Sequence, residues 1–217
     1  MDIDDILAEV DRAGVPQEAR DLQSLTRLWV AERVAPEMQP YPEDLMERVL
    51  DRIAKQIEAI EEEAGNMDPK TSFKLVVVQT ELERFKFLVR SFLRARIAKL
   101  DAHPHYYSSG TPYTFLSASE RQYLSAHQAL LARHYAASFL SQFPHSLQRL
   151  DDSAGGVNMV DVPDVDKAVI CRVLKDNVGV VAVEGTDVRC DMERGDVWVI
   201  RWSAIKERVM AGDLELI

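Results

Sequence analysis

Apolar residues recur every three or four positions through the first 150 residues and at alternate positions after about residue 165. The chain therefore passes from helical to strand periodicity. In LQSLTRLWVAERVAPEM, Leu22, Leu25, Leu28 and Trp29 fall on one side of a helix that Pro36 ends. Pro42 suits the first turn of the next helix. Met46, Val49, Leu50, Ile53, Ile57 and Ile60 then recur at three and four, and Gly65 lies near its end. A long third helix is predicted from about Ser72 to Leu100. Its Leu75, Val78, Leu82, Phe85, Val89 and Phe92 keep a near-heptad spacing, which suits an antiparallel bundle. HPHYYSSGTPYTF, residues 103–115, reads as a loop. Ser117 and Glu120 match a capping box and open a helix that carries Tyr123, His127, Leu130, Leu131 and His134, stopped by Pro144.

DDSAGGVNMVDVPD, residues 151–164, is small, polar and turn-forming, and reads as a linker. Beyond it AVICRVL, VGVVAV, VRCDM and VWVIRW are β-branched runs separated by turn clusters. A short helix, SAIKERVMAG, and a last strand, DLELI, follow. The fold class is thus α+β: an N-terminal all-α bundle over residues 20–150, a linker, and a small β-rich domain over 165–217. A fold of about fifty-five residues has a marginal core, so it is expected to dock on something larger.

The opening MDIDDILAEVDRAG is a separate problem. Ile3, Ile6, Leu7 and Val10 form one apolar stripe, and Asp2, Asp4 and Asp5 sit where carboxylates favour a helix start. So short a helix is marginal alone in water. It either packs on its own domain or folds as it docks into a groove of another protein. The Gly14-Val15-Pro16 break sets residues 1–13 apart from the bundle and favours docking.

Charge and composition narrow the chemistry. A net charge of −10 opposes broad phosphate binding, and 47% hydrophobic residues supply a core. Cys171 and Cys190 stand far apart without a CxxC, pointing to a reducing compartment and to small buried hydrophobes. The opening lacks a positive n-region, so no signal peptide is expected, and no apolar run reaches the length of a membrane span. His127 and His134 lie seven apart, whereas helical metal ligands sit four apart; His103 and His105 have no partner at ligand spacing. Neither a phosphate-binding glycine loop nor a nucleophile elbow is present. Neither catalytic residues nor a metal or cofactor site is predicted. Arg84, Lys86, Arg90, Arg94, Arg96 and Lys99 form a basic run, but Phe85, Phe87 and Phe92 among them have core spacing. Ion pairing with a neighbouring helix or subunit is favoured over direct contact with DNA.

Several stretches also carry a resemblance. Trp29-Val-Ala-Glu32-Arg-Val-Ala35-Pro36-Glu37 resembles a Trp-x-x-Glu-x-x-Ala-Pro-Glu pattern of the GINS family, in its fourth, Sld-five-type subunit. Glu81-Leu-Glu83-Arg84, and Ser91-Phe92-Leu93-Arg94-Ala95-Arg96-Ile97 through Lys99-Leu100, are similar to further patterns of that subunit, with Phe92 in place of the usual Tyr. Leu147 to Asp151 and the terminal Leu216-Ile217 also fit. The resemblance implies a non-catalytic, nuclear subunit of a four-chain assembly, with three sister subunits. That assembly joins the MCM ring and a further activating factor in the replicative helicase. Asp4-Asp5-Ile6-Leu7-Ala8-Glu9-Val10-Asp11 is similar to the peptide with which fungal members dock on a trimeric replisome adaptor of the Ctf-four type. The resemblance thus implies that Ile3, Asp4, Asp5, Ile6, Leu7 and Val10 contact that adaptor.

Surplus apolar surface points the same way. Val76, Val77 and Leu88 lie off the main stripe of the long helix, more than a short bundle would cover. Trp29, Glu32, Pro36, Arg90, Leu93, Arg94 and Arg96 are expected at interfaces with sister subunits, the arginines at a rim or between helices. The β domain, with Leu214, Leu216 and Ile217, is expected to dock on a neighbour. A free-standing adaptor and a nucleic-acid-binding helical module remain the alternatives.

Overall fold

The computed structural model describes residues 15–63, 69–108, 110–152, 158–176, 178–183, 185 and 189–217. The opening peptide at 1–13 and part of the 151–164 linker lie outside them. Among the described residues six α-helices lead: α1 (Gln17–Val34), α2 (Glu43–Glu63), α3 (Pro69–Ala102), α4 (Pro104–Tyr107), α5 (Thr111–Thr114) and α6 (Ala118–Ser138). Contacts divide the chain into two units, residues 1–30 with 42–92 and residues 31–41 with 93–217.

The first unit is helical. The carbonyl of Pro42 accepts the Met46 N–H at 3.0 Å, and Glu43 and Asp44 occupy the first turn of α2, where the helix dipole favours acids. Leu25, Met46, Val49, Leu82, Val89 and Phe92 are buried, drawn from α1, α2 and α3. Asp21 is buried beside them. It accepts from Gln17 Nε2 at 2.8 Å, Arg48 Nη2 at 3.1 Å and Arg52 Nη2 at 3.2 Å. The two arginines clasp α2 to α1.

The second unit holds two cores. Met38, Leu100, Tyr107, Leu116 and Leu124 make the helical one. The 103–115 stretch, expected to be a loop, instead contains α4 and α5, each a single turn with proline near its start (Pro104 and Pro112). Proline's fixed φ and missing N–H suit a first helical turn, so residues that read as breakers here initiate. Ser117 caps α6 as predicted. Its Oγ accepts the Glu120 N–H at 3.2 Å, and the Glu120 carboxylate accepts the Ser117 N–H at 2.8 Å.

The C-terminal part comprises β1 (Ala168–Val173), β2 (Val180–Ala182), β3 (Arg189–Asp191), β4 (Val197–Arg201), α7 (Trp202–Met210) and β5 (Leu214–Leu216). One antiparallel sheet has the order β4-β1-β5, with Cys171 opposite both Trp198 and Leu216; β2 pairs with β3 separately. Val169, Cys171 and Val173 alternate inward along β1, as strand geometry requires. Cys171 and Cys190 are free and buried, and burial pushes the Cys171 thiol up. The core, including Trp202, Ile205, Leu214 and Leu216, also takes in Ala35, with Ala31 and Val34 packed against it. The β domain therefore docks on the end of α1 of its own chain. A neighbouring subunit is not needed to close its core.

Candidate protein interface

Arg96 is fully buried, and its guanidinium is the centre of the second unit. Nε and Nη2 donate to the two oxygens of Glu120 at 2.6 and 3.1 Å, a bidentate pair. Nη1 donates to Glu32 at 3.0 Å and to the Gln39 carbonyl at 2.7 Å; Nη2 also donates to the Phe115 carbonyl at 2.9 Å. The Tyr41 ring lies 5.3 Å from the guanidinium carbon. Lys99, one turn on, donates to Glu32 at 2.6 Å and to the Glu37 carbonyl at 2.8 Å. Burial pulls the Lys99 ammonium down, against Glu32, which supports its charge.

Glu37 extends the network to the β domain. Its carboxylate accepts from Trp202 Nε1 at 2.8 Å, Lys206 Nζ at 2.9 Å and Tyr106 Oη at 2.9 Å. Burial alone would raise Glu37; Lys206, Trp202 and Tyr106 outweigh it and hold the carboxyl below the ordinary carboxylate value. Tyr106 is pushed up to about 12 by burial and by Glu37. Three positive and three negative side chains thus neutralise one another, with Lys206 at the solvent edge and the rest largely buried. Such an arrangement holds the helices and the β domain in one geometry.

The sequence placed Glu32 and Arg96 at a subunit interface; both side chains are instead fully buried within the chain. Leu214 and Leu216 are likewise in the β-domain core. In each case the burial was anticipated but the covering partner is the chain itself. Arg90 and Arg94 are exposed, and Arg90 pairs with Glu83 of its own helix at 3.1 Å. Arg84 and Lys86 pair with Glu81 and Glu83 at 2.9 and 3.1 Å, also along α3. Trp29, Pro36 and Leu93 are half-buried, and Ile217 is exposed. Ile3, Asp4, Asp5, Ile6, Leu7 and Val10 lie outside the described residues. Asp21, Glu37 and Glu120 do as much as any predicted position; the reciprocal Ser117–Glu120 spacing was the one available hint for the last.

Much apolar surface of the first unit is open. Phe73 is 73% exposed, Val76 and Phe87 60% each, and Leu22, Leu50 and Val77 between 40% and 48%. Phe87 was expected in the core, and Leu88 on the surface; the structure exchanges them. A groove of about 590 Å³ is lined by Leu22, Trp29, Phe85, Phe87 and Leu88, and one of about 490 Å³ by Ala19, Leu22, Ile53, Val77, Leu82 and Phe85. No helix among the described residues is long and apolar enough to cross a membrane.

Residues 49–139 match the family described as "GINS complex protein helical bundle domain", and residues 163–217 match "DNA replication complex GINS protein SLD5 C-terminus". A relative from Chaetomium globosum, "DNA replication complex GINS protein SLD5", is 52% identical over 221 residues, covering 100% of both chains. The chain belongs to the GINS SLD5 family. Relatives of the same name from Yarrowia lipolytica and Schizosaccharomyces pombe are 40% and 38% identical, each over 100% of this chain and over 85% and 99% of their own. The two family matches correspond to the bundle and to the β domain. Glu32 and Glu37 precede both matches.

Proposed function

We propose that the chain is a non-catalytic subunit of a GINS assembly serving DNA replication in the nucleus, held to three sister subunits. The observation that carries this is the open apolar surface of α1, α2 and α3 on a member of the SLD5 family. Surface of that kind marks an obligate partner. Trp29, Pro36, Leu93 and Ile217 supply apolar contacts at the interfaces, and Arg90 and Arg94 charged ones. Glu32, Arg96, Leu214 and Leu216 support these positions from inside. Co-expression with the three sister subunits, followed by native mass measurement, tests the reading: a four-chain complex is expected, and a stable solitary monomer that ignores the others would overturn it. Substituting Phe87→Asp, an exposed position, should weaken the complex without lowering the melting temperature of the isolated chain.

The assembly acts by position. Bound to the MCM ring with a further activating factor, it favours one ring conformation through differential binding. Residues 1–13, through Ile3, Asp4, Asp5, Ile6, Leu7 and Val10, tether it to a trimeric adaptor of the Ctf-four type, raising effective concentration despite a weak peptide. Trimming residues 1–13 should leave unwinding intact and abolish adaptor recovery; lost unwinding would contradict the tether.

A further inference from the structure

On α1, Asp21 and Leu25 are buried in the bundle. A second stripe, Ala19, Leu22, Thr26 and Trp29, runs beside them at helical spacing; the first three are exposed and Trp29 is half-buried. This stripe lines a trough. The two grooves of the first unit share Leu22, Glu81 and Phe85, and so are continuous. Val77, Glu81 and Phe85 of α3 also line it, and Ile53 and Gln56 of α2 join at the Pro16 end. At about 1.5 Å per residue, the stretch from Pro16 to Trp29 is about 20 Å long.

The chain itself supplies a matching occupant. Pro16 lines the trough, so residues 1–14, which lie outside the described ones, join the fold at its lip. The connection Gly14-Val15-Pro16 is short, and short connections lay one helix back antiparallel along the next. The two stripes then agree in register. Ile3, Leu7 and Val10 are four and three apart; Ala19, Leu22 and Thr26 are three and four apart. Folded back about Gly14-Val15, Val10 meets Ala19, Leu7 meets Leu22 and Ile3 meets Thr26. The span from Ile3 to Val10 is about 10 Å as a helix, well inside the trough. Asp2, Asp4, Asp5, Glu9 and Asp11 fall a quarter turn or more from the centre of the apolar stripe, and stay in water. The lining carries both signs, and its Arg52 and Arg84 already pair with Asp21 and Glu81, so it favours an apolar contact over a charged one. A helix this short is marginal alone. Joined to its seat by three residues, it docks at an effective concentration on the order of millimolar.

We propose that in the isolated chain residues 3–10 lie in this trough as an antiparallel helix, covering the open side of α1 and withholding the peptide until a sister subunit takes the trough. The self-contact is independent of the GINS reading; only the release rests on it. The test uses the full chain. Benzoylphenylalanine in place of Leu7, irradiated in dilute solution, should give an intramolecular adduct with residues 19–26 or 77–85, read by peptide mapping. Leu22→Asp with Val77→Asp should cut its yield about tenfold, the scale of losing one buried leucine contact. Both positions are exposed, so helix content should match the parent. Ile3→Asp with Leu7→Asp should raise binding of the apolar-site dye anilinonaphthalene sulfonate severalfold, because the trough empties. No adduct, an adduct only between two chains, or unchanged dye binding overturns the self-contact. With three sister subunits bound, the adduct should vanish; its persistence overturns the release. A chain that forms no four-chain complex overturns the GINS reading and the release together, while the adduct in the isolated chain still decides the self-contact.

Discussion

At the residue scale the molecule depends on a few polar side chains placed where apolar ones are usual. Arg96 has Glu32 and Glu120 as partners in a site closed to water. Replacing it by methionine keeps the length, takes from the buried Glu120 its arginine and leaves Glu32 with Lys99. Such a loss costs about 3–5 kcal/mol, so Arg96→Met should show a much lower urea midpoint. Glu37 gives a pH-dependent counterpart. Its folded value lies below the ordinary 4.5, so its contribution is complete above that pH and disappears as pH falls through the folded value. The melting-temperature gap between the parent and Glu37→Gln should therefore be constant near neutrality and close on acidification below about pH 4.5; a gap that widens in acid would reverse the assignment. Ion pairing of Arg96 with a neighbouring helix was legible in the sequence; its complete burial, its partners and the role of Glu37 were not. Single-sequence patterns rank arginine and glutamate as surface residues, and the pairing of Arg96 with Glu120 depends on how α3 and α6 meet.

At the element scale the sequence was a good guide, for physical reasons that differ from place to place. The five strands and α7 were visible because β-branched runs alternate and are cut by polar turns. The start of α6 was visible because a capping box is a local device, made within four residues. Ser117→Ala removes one half of that box and should cost about 1 kcal/mol in chemical denaturation. The one-turn helices α4 and α5 were missed because four residues show no period, and their prolines signal a break and a start equally well. Phe87 and Leu88 were exchanged because adjacent positions on a helix differ by 100°, and a stripe of broad apolar character does not fix its own edge. At the turn between α7 and β5, Gly212 has φ +72°, a conformation that costs other residues; Gly212→Ala should destabilise by about 1 kcal/mol, read from the thermal midpoint.

At the scale of the whole molecule, assembly is the property the surface describes. The first unit carries exposed phenylalanines and valines on α3, and the second carries the bare end of α6. An isolated chain should accordingly self-associate as its concentration rises, and analytical ultracentrifugation should show that tendency vanish when the sister subunits are present. Function at this scale was legible through resemblance, since no periodic pattern says what a surface binds. The division of the second unit was not legible: the 151–164 stretch reads as a boundary, yet Ala35 on its far side belongs to the β-domain core, with Ala31 and Val34 packed against it.

The bond from Trp202 Nε1 to Glu37 joins residues 165 apart. A ribosome adding roughly 5–20 residues each second leaves an interval of about ten to thirty seconds between the two. Throughout it Ala31, Val34, Ala35 and the Glu37 carboxylate await their cover. The nascent chain thus covers the end of its own α1 only once Trp202 has been made, and any message cut short before Trp202 yields a product with an uncovered seam that chaperones and proteases can recognise.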